Sequence, residues 1–378
     1  MRLRLLPLAA SILALTGCTA DTTPTARATP PTSPALTDRI DAIRGDLDEL
    51  VHAGAVGALA TLADNGRSEV VTAGVADTVS GQPIPTDPPQ YVRVGSLSKS
   101  FVAAIVLQLV DDGHIAFDEP VDTYLPGVLS GDGIDGREIT VRQLLRHRSG
   151  IPELTLDPEM DEARAARTGR TFTPAEEIAI ALRRPAEFAP DSRFQYSNTN
   201  YIVAGMLVER VTGHHFADEL QARILDPLGL RDTYLPTAGE VELRAPHPLG
   251  YATADGRLVE ASRIEPSVPW VAGALVSTGA DINRFYLALA SGQVVPPTVL
   301  SQLRDGSPMG DGTSYGLGVM YSQLPCGAEY IGHNGGIHGF LAVSGATPDG
   351  RAVTVSLTGP VPQTAVDPQR LLEHALCP

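Results

Sequence analysis

The amino-acid sequence predicts a mixed α/β (α+β) fold: a mainly antiparallel sheet closed by the two ends of the chain, flanked by helices, with an all-helical subdomain inserted between them. Three observations predict it. Strand patterns gather at both ends of the chain, helical patterns fill its middle, and one helix near residue 100 is apolar almost all round, so it must lie buried between layers.

In chain order, Thr37 or Asp38 is placed to cap a first helix, because Ile40, Ile43, Leu47, Leu50 and Val51 recur at helical spacing. Strands over 57–63 and 68–75 follow, joined at Asn65-Gly66, a dipeptide suited to a tight hairpin. Prolines 83, 85, 88 and 89 mark a loop leading to Tyr91. From Ser96 to Asp112 the chain reads as the central buried helix, ended by Gly113. Residues 151–245 are expected to be mostly helical, over 174–184, 199–212 and 215–225. After Pro246 the pattern turns to strands over 248–251, 257–259, 327–332, 339–346 and 351–357, interrupted by a helix over 279–291. Asp349-Gly350 is a hairpin turn, and Asp367 with Pro368 starts a last helix. One domain is expected over 38–378, with its helical subdomain over roughly 114–245.

The N-terminus reads as an export signal over 1–17: Arg2 and Arg4, then an apolar run from Leu5 to Leu15 too short to span a bilayer. Leu15-Thr16-Gly17-Cys18 resembles a bacterial lipobox, which implies cleavage before Cys18 and a lipid anchor on it. Residues 18–37, rich in Thr, Pro and Ala, form an extended tether. The expected location is the outer face of the cytoplasmic membrane, or the exterior if Cys18 carries no lipid. Net charge is −16 with no basic stripe, which argues against a nucleic-acid partner. Beyond Cys18 only Cys326 and Cys377 remain, an even pair in an oxidising compartment, and they are expected to bond and staple the last helix to a strand.

The chemistry centres on Ser96-Leu97-Ser98-Lys99. Lys99 is the only lysine; every other basic residue among the 28 Lys plus Arg is arginine. A guanidinium cannot lose its proton in a protein, whereas a desolvated amine can be neutral near pH 7. A lone lysine one turn after a serine is therefore a candidate base beside a candidate nucleophile. Ser96 also opens the buried helix, where free N–H groups favour developing negative charge.

Other motifs carry less. Gly131-Asp132-Gly133-Ile134-Asp135-Gly136 matches a dinucleotide-binding pattern but follows no strand and holds two repelling aspartates, so it reads as a surface turn. Gly312-Thr313-Ser314-Tyr315-Gly316 matches a nucleophile elbow without the strand before and helix after that such an elbow needs. His147 reads as structural. The nine histidines show no metal-ligand spacing, and no metal or other cofactor is expected.

Three motifs then line up: Ser96-x-x-Lys99, Tyr196-Ser197-Asn198 and His333-Asn334-Gly335-Gly336. Together they resemble the penicillin-recognising serine hydrolases, in the branch of class C β-lactamases and soluble D-alanyl-D-alanine carboxypeptidases. The resemblance covers roughly 38–378, with the paired cysteines included. It implies a β-lactamase/transpeptidase-like fold and an acyl-enzyme on Ser96, with Lys99 and Tyr196 sharing the protons. It further implies Asn198 on the substrate amide, His333 tuning Tyr196 and Gly335 permitting close backbone approach. The oxyanion hole would come from the N–H groups of Ser96 and Gly336. The expected activity is that of a carboxypeptidase on cell-wall-type peptides, by a monomer. An esterase, a D-amino-acid amidase, a β-lactamase or a penicillin-binding receptor with little turnover is the alternative, so the partner is a small peptide, ester or β-lactam. One departure bears on substrate. In those carboxypeptidases an Arg before the first cysteine and a Thr after His-Thr-Gly help bind a terminal carboxylate. Here 318–325 contains no Arg, and Gly336 follows Gly335.

Overall fold

The computed structural model describes residues 34–310 and 312–377. The signal-peptide, Cys18 and most of the tether readings lie outside the described residues. Among the described residues no helix is long and apolar enough to cross a membrane.

An eight-stranded sheet forms the frame. Its order is Arg67–Gly74, Gly57–Asp64, Arg351–Thr358, Phe340–Ala346, Glu329–Ile337, Met320–Gln323, Ser314–Tyr315 and Ser307–Pro308. Every neighbouring pair is antiparallel. The N-terminal hairpin therefore docks on the last strand, as the strand patterns at both chain ends predict. Asn65 (φ 47°) and Gly66 (φ 85°) supply the two left-handed residues of its turn.

Period-two alternation gives the sheet two buried faces. Ala58, Ala60, Leu62, Val353, Val355 and Leu357 pack with Ile43, Leu47, Leu371 and Leu372 of the terminal helices Pro34–His52 and Pro368–Leu376. Leu59, Ala342 and Ala352 face the other way, into a second core with Ile282 and Phe285 of the helix Gly279–Ala290. That core continues without a break through the helix Ser98–Asp111 into Thr199–Thr212. The Ser98–Asp111 helix is buried from Ser98 through Leu107. This is the burial its apolar circumference requires.

Three expectations change in detail. The first helix starts at Pro34, ahead of Thr37 and Asp38. The strands Tyr251–Ala254 and Arg257–Glu260 pair only with each other and stay outside the main sheet. Between 114 and 245 the chain is not wholly helical, because Ser130–Gly131 and Ile134–Asp135 form a small hairpin at the glycine-rich surface turn. The cysteines are bonded as expected: Cys326, just past Met320–Gln323, joins Cys377 at the end of the last helix.

Candidate active site

Ser96 sits in a tight turn, Gly95–Leu97, that leads directly into Ser98–Asp111. Gly95 takes a left-handed φ of 56°, and a side chain there would fall 2.9 Å from the Gly336 nitrogen. Gly335 is tighter still: a Cβ would lie 2.1 Å from Val94 O and 3.1 Å from Ser96 N. The strand Glu329–Ile337 can therefore slide against the Ser96 turn only because both positions lack side chains. That approach brings the backbones of Ser96 and Gly336 together, where the sequence places the oxyanion hole.

Lys99 follows one turn later and is fully buried. Its Nζ donates to Ser96 Oγ at 3.0 Å, to Asn198 Oδ1 at 2.7 Å and to the Ala272 carbonyl at 2.7 Å. Burial pushes its pKa down to about 7, against a smaller upward pull from the Glu153 carboxylate. Near neutral pH much of Lys99 is thus a free amine whose lone pair can take the Ser96 proton.

Tyr196 lies over Lys99, with Nζ 5.0 Å from its ring centroid. Its hydroxyl is covered, lies beside Ser96, and makes no hydrogen bond of ordinary geometry to a protein group. Burial raises its pKa well above the ordinary phenol value, so it stays a neutral phenol able to donate a proton. Its ring is held by His147, at 4.2 Å between centroids, and edge-on by Tyr315 at 5.9 Å. His147 is buried and neutral, and its Nδ1 accepts from the Ser197 N–H at 3.2 Å. It thereby fastens the loop ending at Gly150 to the Tyr196-Ser197-Asn198 segment.

The surroundings of two expected site residues add detail. His333 neighbours Tyr196 ring to ring, at 6.4 Å between centroids. Its Nε2 is 3.0 Å from the Tyr315 hydroxyl, and its Nδ1 meets the Asn334 carbonyl. The carbonyl can only accept, so Nδ1 carries the proton and Tyr315 donates to Nε2. Burial, then the Lys99 charge, pushes His333 down to about 3. Tyr315 in turn stands edge-on to Tyr196, so His333 meets Tyr196 both directly and through Tyr315. Asn198 is the second case. It gives its carbonyl oxygen to Lys99 and one side-chain N–H to Glu153 Oε1 at 3.0 Å, which leaves one N–H for a substrate.

Glu153 and Tyr315 were missed in the sequence. Glu153 accepts from both the backbone and side chain of Asn198 and from Thr155 N at 2.9 Å. Nothing marks it locally as a site residue. Tyr315 lies inside the Gly312–Gly316 stretch, which indeed forms no nucleophile elbow: Ser314 and Tyr315 are a two-residue strand.

Ser96 opens onto a cavity of about 380 Å³ with mostly apolar walls, among them Met309, Met320, Leu341 and Val343. A smaller cavity of about 90 Å³ lies on the Asn198 side. Among the described residues neither is lined by Arg or Lys. A groove of about 530 Å³ elsewhere, along Asn65, Arg67 and Arg284, holds none of the three motifs. Among the described residues no three His, Cys, Asp or Glu side chains group as a metal site.

The family profile described as Beta-lactamase matches residues 41–376. The chain belongs to the beta-lactamase family. Its fold is the β-lactamase/transpeptidase-like one. It superposes on a D-stereospecific amidohydrolase from Streptomyces sp. with TM-score 0.80 and 34% identity, over 89% of this chain and 98% of that one. Esterase EstB of Burkholderia gladioli is 31% identical over 300 residues, 71% of this chain and 76% of that protein. Penicillin-binding protein 4 of Amycolatopsis lactamdurans is 30% identical over 252 residues, 66% of this chain and 61% of that protein's length. This family member is a serine hydrolase.

Proposed function

We propose that the chain hydrolyses amides or esters without a terminal carboxylate, through an acyl-enzyme on Ser96. The observation that carries this reading is the Lys99 Nζ–Ser96 Oγ contact of 3.0 Å, opening onto a cavity with no Arg or Lys on its walls among the described residues. A carboxypeptidase must pair its substrate's terminal carboxylate, and a carboxylate in an apolar lobe without a cation is costly. The similarity to an esterase and to an amidohydrolase supports the same choice.

In the proposed cycle Ser96 Oγ attacks the acyl carbon as its proton passes to neutral Lys99. The tetrahedral oxyanion is held by the Ser96 and Gly336 N–H groups. As the bond to the leaving atom breaks, Tyr196 donates its phenolic proton there and regains one from the Lys99 ammonium. Water then attacks the acyl-enzyme and gives its proton to Lys99, and Ser96 recovers its own. Asn198, fixed by Glu153, holds Lys99 in line.

The test is turnover of p-nitrophenyl butyrate and labelling by a fluorescent penicillin, with wild type and Ser96→Ala side by side. Ester turnover that needs Ser96, with little penicillin labelling, is expected. Ser96-dependent release of D-alanine from a D-alanyl-D-alanine peptide, without ester turnover, would restore the carboxypeptidase.

A further inference from the structure

Ser96 stands between two lobes of one cleft, a large one toward Tyr196 and a small one walled in part by Pro269, Ala272 and Gly273. That wall belongs to the short helix Trp270–Gly273, which is buried from Val271 onward. The helix supplies the Ala272 carbonyl, which accepts from Lys99 Nζ at 2.7 Å. The other acceptor of this kind is Asn198 Oδ1, also at 2.7 Å. A neutral amine has two N–H groups and one lone pair. With the N–H groups given to Ala272 and Asn198, the lone pair is left to the third neighbour, the Ser96 hydroxyl at 3.0 Å. Whatever fixes the Ala272 carbonyl therefore aims the base.

The turn that places this carbonyl is strained. Trp270 opens the helix with a left-handed φ of 31°. That backbone is unfavourable for a bulky residue and persists only where the surroundings enforce it. The Trp270 N–H donates to the Pro266 carbonyl at 2.9 Å, and the Trp270 carbonyl accepts from the Ala274 N–H at 2.8 Å. The ring lies on Gly205 of the helix Thr199–Thr212, where a Cβ would fall 2.8 Å from it. It meets Phe216 edge-on, at 6.3 Å between centroids. Past the helix, the Leu275 N–H donates to Ser98 Oγ at 3.2 Å, and the Leu275 carbonyl accepts from the Val94 N–H at 3.1 Å. The far end of the segment is thus tied to the chain on both sides of Ser96. Its near end is held by one ring in a glycine notch.

We infer that Trp270 is a positioning residue for the reaction: its ring, seated on Gly205, holds a left-handed backbone that aims the Ala272 carbonyl at Lys99 and so turns the amine toward Ser96. This rests on the reading of Ser96 and Lys99 given above and adds the device that orients the base. Trp270 acts through Ala272.

The experiment measures kcat and KM for p-nitrophenyl butyrate across the rise in activity near neutral pH, in wild type, Trp270→Ala, Trp270→Gly and Gly205→Ala, with Ser96→Ala as the blank. In Trp270→Ala the ring is gone and the backbone relaxes. There kcat should fall about 10–100-fold with KM little changed, the scale of a misplaced catalytic group. Loss of a carbonyl acceptor also favours the ammonium less, so the midpoint of the rise in kcat/KM should move below its wild-type position. A smaller folded fraction lowers the profile but leaves its midpoint and KM in place, so a merely structural role does not give this shift. Trp270→Gly also lacks the ring but adopts a left-handed φ without strain. Its midpoint should lie nearer to wild type than that of Trp270→Ala, the reverse of the order expected from lost contacts alone. Gly205→Ala keeps the ring and pushes it from its notch, and it carries the test if Trp270→Ala does not fold. Trp270 is the only tryptophan, so its emission should shift, and the midpoint should drop with it. A wild-type midpoint in Trp270→Ala, a glycine variant no closer to wild type than the alanine one, or an unmoved midpoint in Gly205→Ala overturns the positioning role. Ser96-dependent turnover in the same samples would leave the hydrolase reading standing. No Ser96-dependent turnover in wild type would overturn both.

Discussion

Lys99 Nζ stands 3.0 Å from Ser96 Oγ, and the lysine is fully buried. The contact joins a nucleophile to an amine that desolvation has brought into its useful range, down to about 7. Lys99→Arg keeps the charge but cannot accept a proton. Acylation by p-nitrophenyl butyrate should fall by about 10²–10⁴-fold, the span of general base catalysis. Stopped-flow release of nitrophenol measures it, and near-wild-type rates in the arginine variant would remove Lys99 as base.

The same contact sets the pH dependence. Lys99 must be neutral to act, so kcat/KM should rise as pH passes through about 7 and level off above. His333, held at about 3, and Tyr196, held well above its ordinary value, should add no limb between pH 4 and pH 9. A profile that falls as pH rises through 7 would contradict the assignment.

Tyr315→Phe removes the donor 3.0 Å from His333 Nε2 and leaves that nitrogen buried without its partner. Stability should drop by about 1–3 kcal/mol, read from urea unfolding. Turnover should fall modestly, because Tyr315 positions Tyr196 and does not touch the reacting atoms. A stability unchanged from wild type would mean that the Tyr315–His333 bond is not part of the fold's framework.

Glu177 in the helix Pro174–Ala181 has both carboxylate oxygens buried with no hydrogen-bond partner among the described residues. Burial, then the Glu176 charge, raises its pKa well above the ordinary carboxylate value. The folded state therefore favours the protonated form. Its contribution is fully present below the ordinary carboxylate pKa and is lost as pH rises toward the folded pKa. Glu177→Leu should stabilise by about 1–3 kcal/mol at pH 8, and by less at pH 4. A destabilised variant at pH 8, or an equal gain at both pH values, would show that the carboxyl is satisfied.

Cys326 and Cys377 are 51 residues apart and tie the last helix to the region after Met320–Gln323. Replacing both with Ala should cost about 2–4 kcal/mol. Val366 and Pro368, next to that helix's start, line the large lobe. KM for apolar esters should rise with the loss. Unchanged stability and KM would mean that packing of Leu371 and Leu372 alone holds the helix.

How much of this was legible follows from where the information sits along the chain. Ser96 and Lys99 share one turn, so their relation is local and readable. The Asn65-Gly66 turn and the helix Thr199–Thr212 are likewise local, and the structure shows both. The Lys99 acceptors are another matter. Asn198 lies 99 residues away and Ala272 lies 173 away, and the latter acts through its backbone carbonyl, which has no side-chain signature. Tyr315 is hidden because its neighbours spell a false motif, and its role appears only when Ser314–Tyr315 is placed between Met320–Gln323 and the edge strand Ser307–Pro308, near His333. The strands at 251–254 and 257–260 have alternating pattern enough to be strands, but pattern alone does not say which sheet they join.

The most direct measurement is peptide mapping by mass spectrometry after a brief reaction with p-nitrophenyl butyrate and acid quench. The butyryl group should be found on Ser96, in the peptide that also carries Lys99, and should be absent from Ser96→Ala. A butyryl group on Ser314 or another residue, with turnover surviving in Ser96→Ala, would contradict the assignment of Ser96 as nucleophile.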